Sequence, residues 1–169
     1  MRSVGILTLG CKVNTYESEY ITNLLKENNY EIKSFEELCD VYIINTCTVT
    51  NTSDIKSRKM IRNAIKKNPD ACVVAMGCFI EANKDYEIEG LDIVIGNKDK
   101  SKIIELLDEY FNKKQTIKRL YNTQLKEFED MYITYFPGRT RAFVKIQDGC
   151  ENFCSYCIIP FVRGKCRSK

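Results

Sequence analysis

The chain has 169 residues, enough for one ordinary domain and a little more, and 44% of them are hydrophobic, which supplies material for a core. Lys and Arg number 26 against 23 Asp and Glu, so the net charge of +3 is too small to mark a nucleic-acid-binding protein by itself. Nine cysteines, an odd number, with no histidine and no recognisable secretory segment argue against a disulfide framework and for a reduced cytoplasm.

In chain order, Val4 to Leu9, Val41 to Asn45, Val73 to Met76 and Leu91 to Ile95 are short apolar runs rich in branched residues, the pattern of strands buried on both faces. The first is too short for a signal peptide, and nothing approaches a transmembrane span. Amphipathic segments lie between the runs. One begins near Asn14, with Glu17 placed for a capping interaction and Val13, Tyr20, Leu24 and Leu25 on one side. A second covers 53 to 67, with Ile61, Ala64 and Ile65 inside, and a third covers 101 to 111, with Ser101 as N-cap and Ile103, Ile104, Leu106, Leu107, Tyr110 and Phe111 at helical spacing.

Strands alternating with helices predict a doubly wound, Rossmann- or flavodoxin-like α/β fold, a parallel sheet of four or five strands with helices on both faces, over residues 1–112. Residues 113–139, including Pro137-Gly138, read as a linker. A new strand is expected from Arg141 to Gln147, leading into Asp148-Gly149-Cys150, so that 140–169 form the truncated start of a second domain.

Six cysteines fall into two sets of three. Cys150, Cys154 and Cys157 lie on one tight loop, where three thiolates can each take a different iron of a cubane cluster and leave the fourth iron open. Phe153 and Tyr156 would flank that cluster and limit solvent access. Zinc is the rival, with Cys166 as a fourth ligand, and a simple electron carrier is another. Cys11, Cys47 and Cys78 each end an apolar run, in GILTLGC, VYIINTC and CVVAMGC, and are 36 and 31 residues apart. One βαβ unit takes about 30 residues, so these three are expected at the carboxyl ends of successive strands, where ligands bind in such sheets. They would then form a second three-ligand site. The plainer reading is that they are buried small hydrophobes, as expected for Cys39 and Cys72.

The segments TLGCKVNTYESE, INTCTVTNTSDIKSRKMIRNAIKKNP, GCFIEAN and RAFVKIQDGCENFCSYCIIPFVRG resemble the radical S-adenosylmethionine methylthiotransferases. The GCKVN and TNTSD-SRK wording is most similar to the bacterial branch that modifies threonylcarbamoyladenosine in tRNA; the isopentenyladenosine branch differs around the first cysteine, and the ribosomal-protein branch is more distant.

The resemblance implies two 4Fe-4S clusters: a radical-generating one on Cys150, Cys154 and Cys157, and an auxiliary one on Cys11, Cys47 and Cys78. It implies S-adenosylmethionine at the open iron, near Tyr156, a deoxyadenosyl radical that removes hydrogen from carbon 2 of the adenine, and methylthio transfer to that carbon. No catalytic side chain is identified. A flavodoxin or ferredoxin would donate electrons, and the partner would be the anticodon stem-loop of tRNA, not DNA or a membrane. Most of the radical barrel known in that family is not found in this sequence, so these residues are expected to be inactive alone.

Lys56, Arg58, Lys59, Arg62, Lys66 and Lys67 make one predicted helix strongly basic, and Arg163, Lys165, Arg167 and Lys169 add charge at the end. Both are candidates for phosphate contacts, although a solvated basic face or a non-catalytic zinc- and RNA-binding module would show the same pattern.

Overall fold

A computed structural model describes residues 1–85, 87–120, 127–133 and 143–169. Four of its strands overlap the short apolar, β-branched runs of the sequence, β1 (Ser3–Thr8), β3 (Val41–Thr46), β4 (Cys72–Gly77) and β5 (Ile93–Ile95), and a fifth, β2 (Glu31–Lys33), is a short charged strand outside them. A sixth, β6 (Ile117–Arg119), completes a sheet of order β2-β1-β3-β4-β5-β6 in which every pairing is parallel. The crossovers are α1 (Lys12–Glu27), α2 (Asn51–Lys67), the short α3 (Cys78–Ala82) and α4 (Ile103–Lys113), the last entered through a 3-10 turn at Lys100–Lys102.

Period-two alternation along the strands divides the core into two layers. Val41 and Ile43 of β3 and Val74 and Met76 of β4 face Ile21 and Leu25 of α1 and Ile103, Leu106 and Leu107 of α4. Tyr42 and Ile44, with Val73 and Ala75, face Ile61 and Ala64 of α2 and Phe79 and Ile80 of α3. Cys72 lies in the first layer and Cys39 in the second, both buried, and burial pushes both thiols up. This is the small-hydrophobe role expected of them. Helices cover both faces, as in the expected doubly wound fold.

Four details differ from expectation. The sheet has six strands, and β6 lies beyond the boundary expected at residue 112. Ser101 does not cap α4; its backbone N–H and hydroxyl both donate to Glu129. The true side-chain cap is on α2, where Thr50 accepts from the Ser53 N–H at 3.1 Å. Glu17 caps nothing, because the buried stripe of α1 is Asn14, Glu17, Ser18, Ile21 and Leu25 rather than the side that carries Val13 and Tyr20.

The second segment also differs. Pro137-Gly138 and the start of the expected strand at Arg141 lie outside the described residues; of that strand's described residues, 143–147, only Gln147 belongs to a strand, β7 (Gln147–Asp148). It pairs antiparallel with β8 (Arg167–Ser168), and between them stand the cysteine loop and α5 (Ile159–Arg163). No helix among the described residues is long and apolar enough to cross a membrane.

Candidate functional site

The sheet's winding reverses between β1 and β3, and the crevice at such a switch point is where doubly wound sheets receive ligands. Cys11 follows β1 as the N-cap of α1, Cys47 follows β3, and Cys78 opens α3 directly after β4. Since β1, β3 and β4 are adjacent and parallel, all three cysteines leave the sheet at its carboxyl edge.

Their loops touch. Gly10 has φ +101°, and a Cβ there would stand 2.7 Å from Cys47 Sγ; Gly77 has φ +98°, and its Cβ would stand 2.8 Å from Asn45 Oδ1. Asn14 clasps the ends of β1 and β3 together, its Nδ2 donating to Leu9 O at 2.8 Å and Thr46 O at 2.9 Å. The Cys11 thiol lies 3.6 Å from Asn14 Oδ1, and the Cys47 N–H donates to Ser57 Oγ at 3.3 Å. Asn97 Nδ2 donates to Cys78 Sγ at 3.5 Å.

Behind this edge is a buried ionic network. Glu17, only 1% exposed, pairs with Lys100, with Arg163 at 3.0 Å and with Lys145 at 3.5 Å. Asp148 pairs with Lys145 at 2.7 Å, Arg163 at 3.0 Å and Arg167 at 3.7 Å. Burial alone would push the Glu17 carboxyl up, but Arg163, Lys100 and Lys145 outweigh it and hold it well below its ordinary value. Asp148 is held low by the same opposition, with Arg163 and Lys145 overcoming burial. Arg163 Nη2 also donates to Asn14 Oδ1 at 3.0 Å, and Asn97 Nδ2 donates to Val162 O at 2.7 Å. Residues from α5 therefore reach the side chains that touch Cys11 and Cys78.

The Cys150 loop is closed by its own backbone: Cys150 N–H donates to Gly164 O at 3.1 Å and Cys157 N–H to Cys154 O at 2.9 Å. Cys154 and Cys166 are exposed, and Cys150 and Cys157 are half-buried. Tyr156 is 89% exposed, and Phe153, 56% exposed, packs edge-on against Phe161 at 5.8 Å. Neither ring screens the loop from solvent as expected, because the described residues place no wall opposite them.

Among the described residues no three Cys, His, Asp or Glu side chains are drawn close enough to hold a single metal ion. Thiolates that ligate different irons of one cluster stand further apart than thiolates sharing one ion. The donors at the carboxyl edge are soft thiols, Gly10 lets the Cys47 side chain pack directly against the backbone that precedes Cys11, and two buried polar atoms, Asn45 Oδ1 on β3 and Arg163 Nε, have no hydrogen-bond partner among the described residues. That chemistry fits an iron–sulfur cluster.

The sequence profile of uncharacterized protein family UPF0004 matches residues 3–96, from β1 through the end of β5. The chain belongs to this family. It is 46% identical over 172 residues to the threonylcarbamoyladenosine tRNA methylthiotransferase MtaB of Bacillus subtilis, with 100% of this chain and 38% of that protein covered. Against the protein of the same name from Aquifex aeolicus the identity is 39% over 171 residues, 98% of this chain and 41% of the relative. Against the ribosomal protein uS12 methylthiotransferase RimO of a Thermoanaerobacter species it is 36% over 174 residues, covering 100% and 40%. The chain thus spans about two fifths of the length of the curated relatives it matches.

The UPF0004 match contains Cys11, Cys47 and Cys78 together with Asn14, Glu17 and Asn45, whereas Asn97 and Lys100 lie just past its end at residue 96. None of these polar residues stood out in the sequence as part of a site. A signal existed for Glu17: it lies four residues before Ile21 and eight before Leu25, on the apolar stripe, where a carboxylate needs a buried partner.

The basic candidates divide. On α2, Lys56, Lys59, Arg62 and Lys66 are at least partly exposed. Arg58 lies over the Phe79 ring, and Lys67 donates to Phe35 O at 2.8 Å and pairs with Glu36, so these two are engaged within the fold. In the tail, Arg163 and Arg167 are buried in the ionic network and are not available to phosphate; Lys165 and Lys169 are exposed. Sequence alone treats every Arg as a surface charge here because the carboxylate partner Glu17 is 146 residues away.

Proposed function

We propose that the chain is the cluster-binding part of a cytoplasmic tRNA methylthiotransferase that places a methylthio group on carbon 2 of threonylcarbamoyladenosine. The observation that supports this most is the joint exit of Cys11, Cys47 and Cys78 at one sheet edge, in a chain 46% identical to a protein bearing that name. In this reading Cys11, Cys47 and Cys78 hold one 4Fe-4S cluster, and Cys150, Cys154 and Cys157 hold a second. The clusters, with S-adenosylmethionine near Tyr156 and an electron from a flavodoxin- or ferredoxin-type donor, supply the radical and sulfur-transfer chemistry when bound.

The chain's own residues bind and orient. Asn14 fixes the loops after β1 and β3 in register, Ser57 holds the Cys47 backbone, and Asn97 points a donor at the Cys78 sulfur. Lys56, Lys59, Arg62 and Lys66 line the outer face of the helix that follows Cys47 and attract the phosphates of the anticodon stem-loop, which position RNA without reading its base. In this reading these residues bind the clusters and RNA.

A chimaera tests the reading. Residues 1–169 replace the matching segment of the Bacillus subtilis relative in a strain lacking that gene, and tRNA nucleosides are measured by mass spectrometry. Methylthiolated threonylcarbamoyladenosine should return, and should vanish with Cys11→Ala or Cys150→Ala. Methylthiolation of isopentenyladenosine or of ribosomal protein uS12 instead would contradict the substrate proposed here.

A further inference from the structure

The ionic network behind the carboxyl edge is unbalanced. Among the described residues it contains four cations, Lys100, Lys145, Arg163 and Arg167, and two carboxylates, Glu17 and Asp148, all buried. Burying a charge without an opposite one is costly, so the surplus of positive charge calls for an anion nearby. Arg163 is the member aimed at it. Its Nη1 serves Glu17 and Asp148, its Nη2 reaches Asn14 beside Cys11, and its Nε is buried with no partner among the described residues. From the next residue back, Val162 O accepts from the same Asn97 amide that donates to Cys78. As ligands of a cluster, Cys11, Cys47 and Cys78 would form an anionic set, and two of them touch the Asn14 and Asn97 side chains that α5 also bonds.

We propose that Arg163 is a positioning residue that delivers the network's surplus positive charge to a cluster held by Cys11, Cys47 and Cys78, and so sets that cluster's reduction potential. This rests on the proposed function. Reduction adds one negative charge to the cluster, and a buried cation stabilises the more negative state, with net charge and hydrogen bonding among the main determinants of such potentials. Arg163 follows Cys157 by six residues, so the same side chain ties the loop of one cysteine set to the ligands of the other.

The test isolates the N-terminal cluster in a 169-residue chain with Cys150, Cys154 and Cys157 all changed to alanine. After anaerobic reconstitution, a dithionite titration followed by electron paramagnetic resonance gives the midpoint potential. Arg163→Gln should shift it to a more negative value, Glu17→Gln to a more positive value, and Arg163→Lys should lie between Arg163→Gln and the parent. Arg167→Gln and Asp148→Asn give the same two signs further out in the network if either first variant fails to fold. Opposite signs identify charge, since loosened packing or added solvent moves both potentials the same way. An unchanged potential, or shifts of one sign throughout, overturns the role of Arg163 while leaving the cluster in place. Failure of the background chain to take up any cluster contradicts the proposed function and this inference with it.

Discussion

Arg163 Nη2 donates to Asn14 Oδ1 at 3.0 Å, joining residues 149 apart in sequence. Asn14 also donates to the carbonyls of Leu9 and Thr46, so one buried amide links α5, β1 and β3. Asn14→Ala removes the amide that serves those two carbonyls and leaves Arg163 Nη2 only its longer contact with Glu17 at 3.5 Å, and the cost of an unsatisfied buried group is about 1–3 kcal/mol. Urea denaturation should show at least that loss. Asn14→Asp keeps an acceptor for Arg163 but lacks the amide donor, and it is expected to lose stability as well.

Glu17 predicts the pH response of the fold. Its carboxyl is held well below its ordinary value in the folded chain, despite burial, by Arg163, Lys100 and Lys145. A carboxylate with a depressed folded value contributes stability that is fully present above the unfolded value and is lost as pH falls through it towards the folded one. The urea midpoint should therefore hold near neutrality and fall on the acid side of about pH 4.5. Glu17→Gln should remove this component of the slope and cost about 3–5 kcal/mol near pH 7, the usual penalty for unpairing one side of a buried ion pair.

The glycines at the carboxyl edge give a sharper local test. Gly10→Ala puts a methyl group 2.7 Å from the Cys47 sulfur on a backbone with φ +101°, where an L side chain is strained. The substitution should destabilise by more than about 1 kcal/mol and reduce iron uptake at the N-terminal site. Gly5→Ala is a useful contrast, since its φ is not in the left-handed region and its nearest neighbours stand at 3.1–3.4 Å, away from the cysteine edge. Iron analysis of both variants, with circular dichroism as a check on folding, separates the two effects.

RNA binding should follow exposure rather than the number of basic residues. Changing Lys56, Lys59, Arg62 and Lys66 together to glutamine should weaken binding to an anticodon stem-loop and flatten its salt dependence, by about 0.7–0.9 in the logarithmic slope for each phosphate no longer neutralised. Lys67→Ala should leave RNA binding nearly intact and lower stability instead, because Lys67 Nζ bonds Phe35 O and sits 5.4 Å from the Phe35 ring centroid. Filter binding over a range of salt concentrations measures the first effect in both variants, and urea denaturation the second.

The central strands were legible because β3 and β4 are buried on both faces and so read as unbroken apolar runs. The edge strands β2 and β6 were not, since Glu31–Lys33 and Ile117–Arg119 are three residues each and carry the charges that edges use against further pairing. The shared edge of Cys11, Cys47 and Cys78 was legible because each follows a strand, and parallel strands carry their ends to one edge. Its supporting polar shell stayed hidden. Asn14, Asn97 and Arg163 look like surface residues until tertiary packing brings together segments 65 to 149 residues apart. The solvent screen expected from Phe153 and Tyr156 depended on a neighbour that spacing within one loop does not specify.

Iron and acid-labile sulfide analysis after anaerobic reconstitution tests most directly whether two separate cysteine sets each hold a cluster. The parent chain should contain about eight of each per molecule, and about four after Cys11, Cys47 and Cys78 are changed to alanine or after Cys150, Cys154 and Cys157 are. An iron content unaffected by replacement of Cys11, Cys47 and Cys78, in a chain that remains folded, would contradict a metal centre at the carboxyl edge of the sheet.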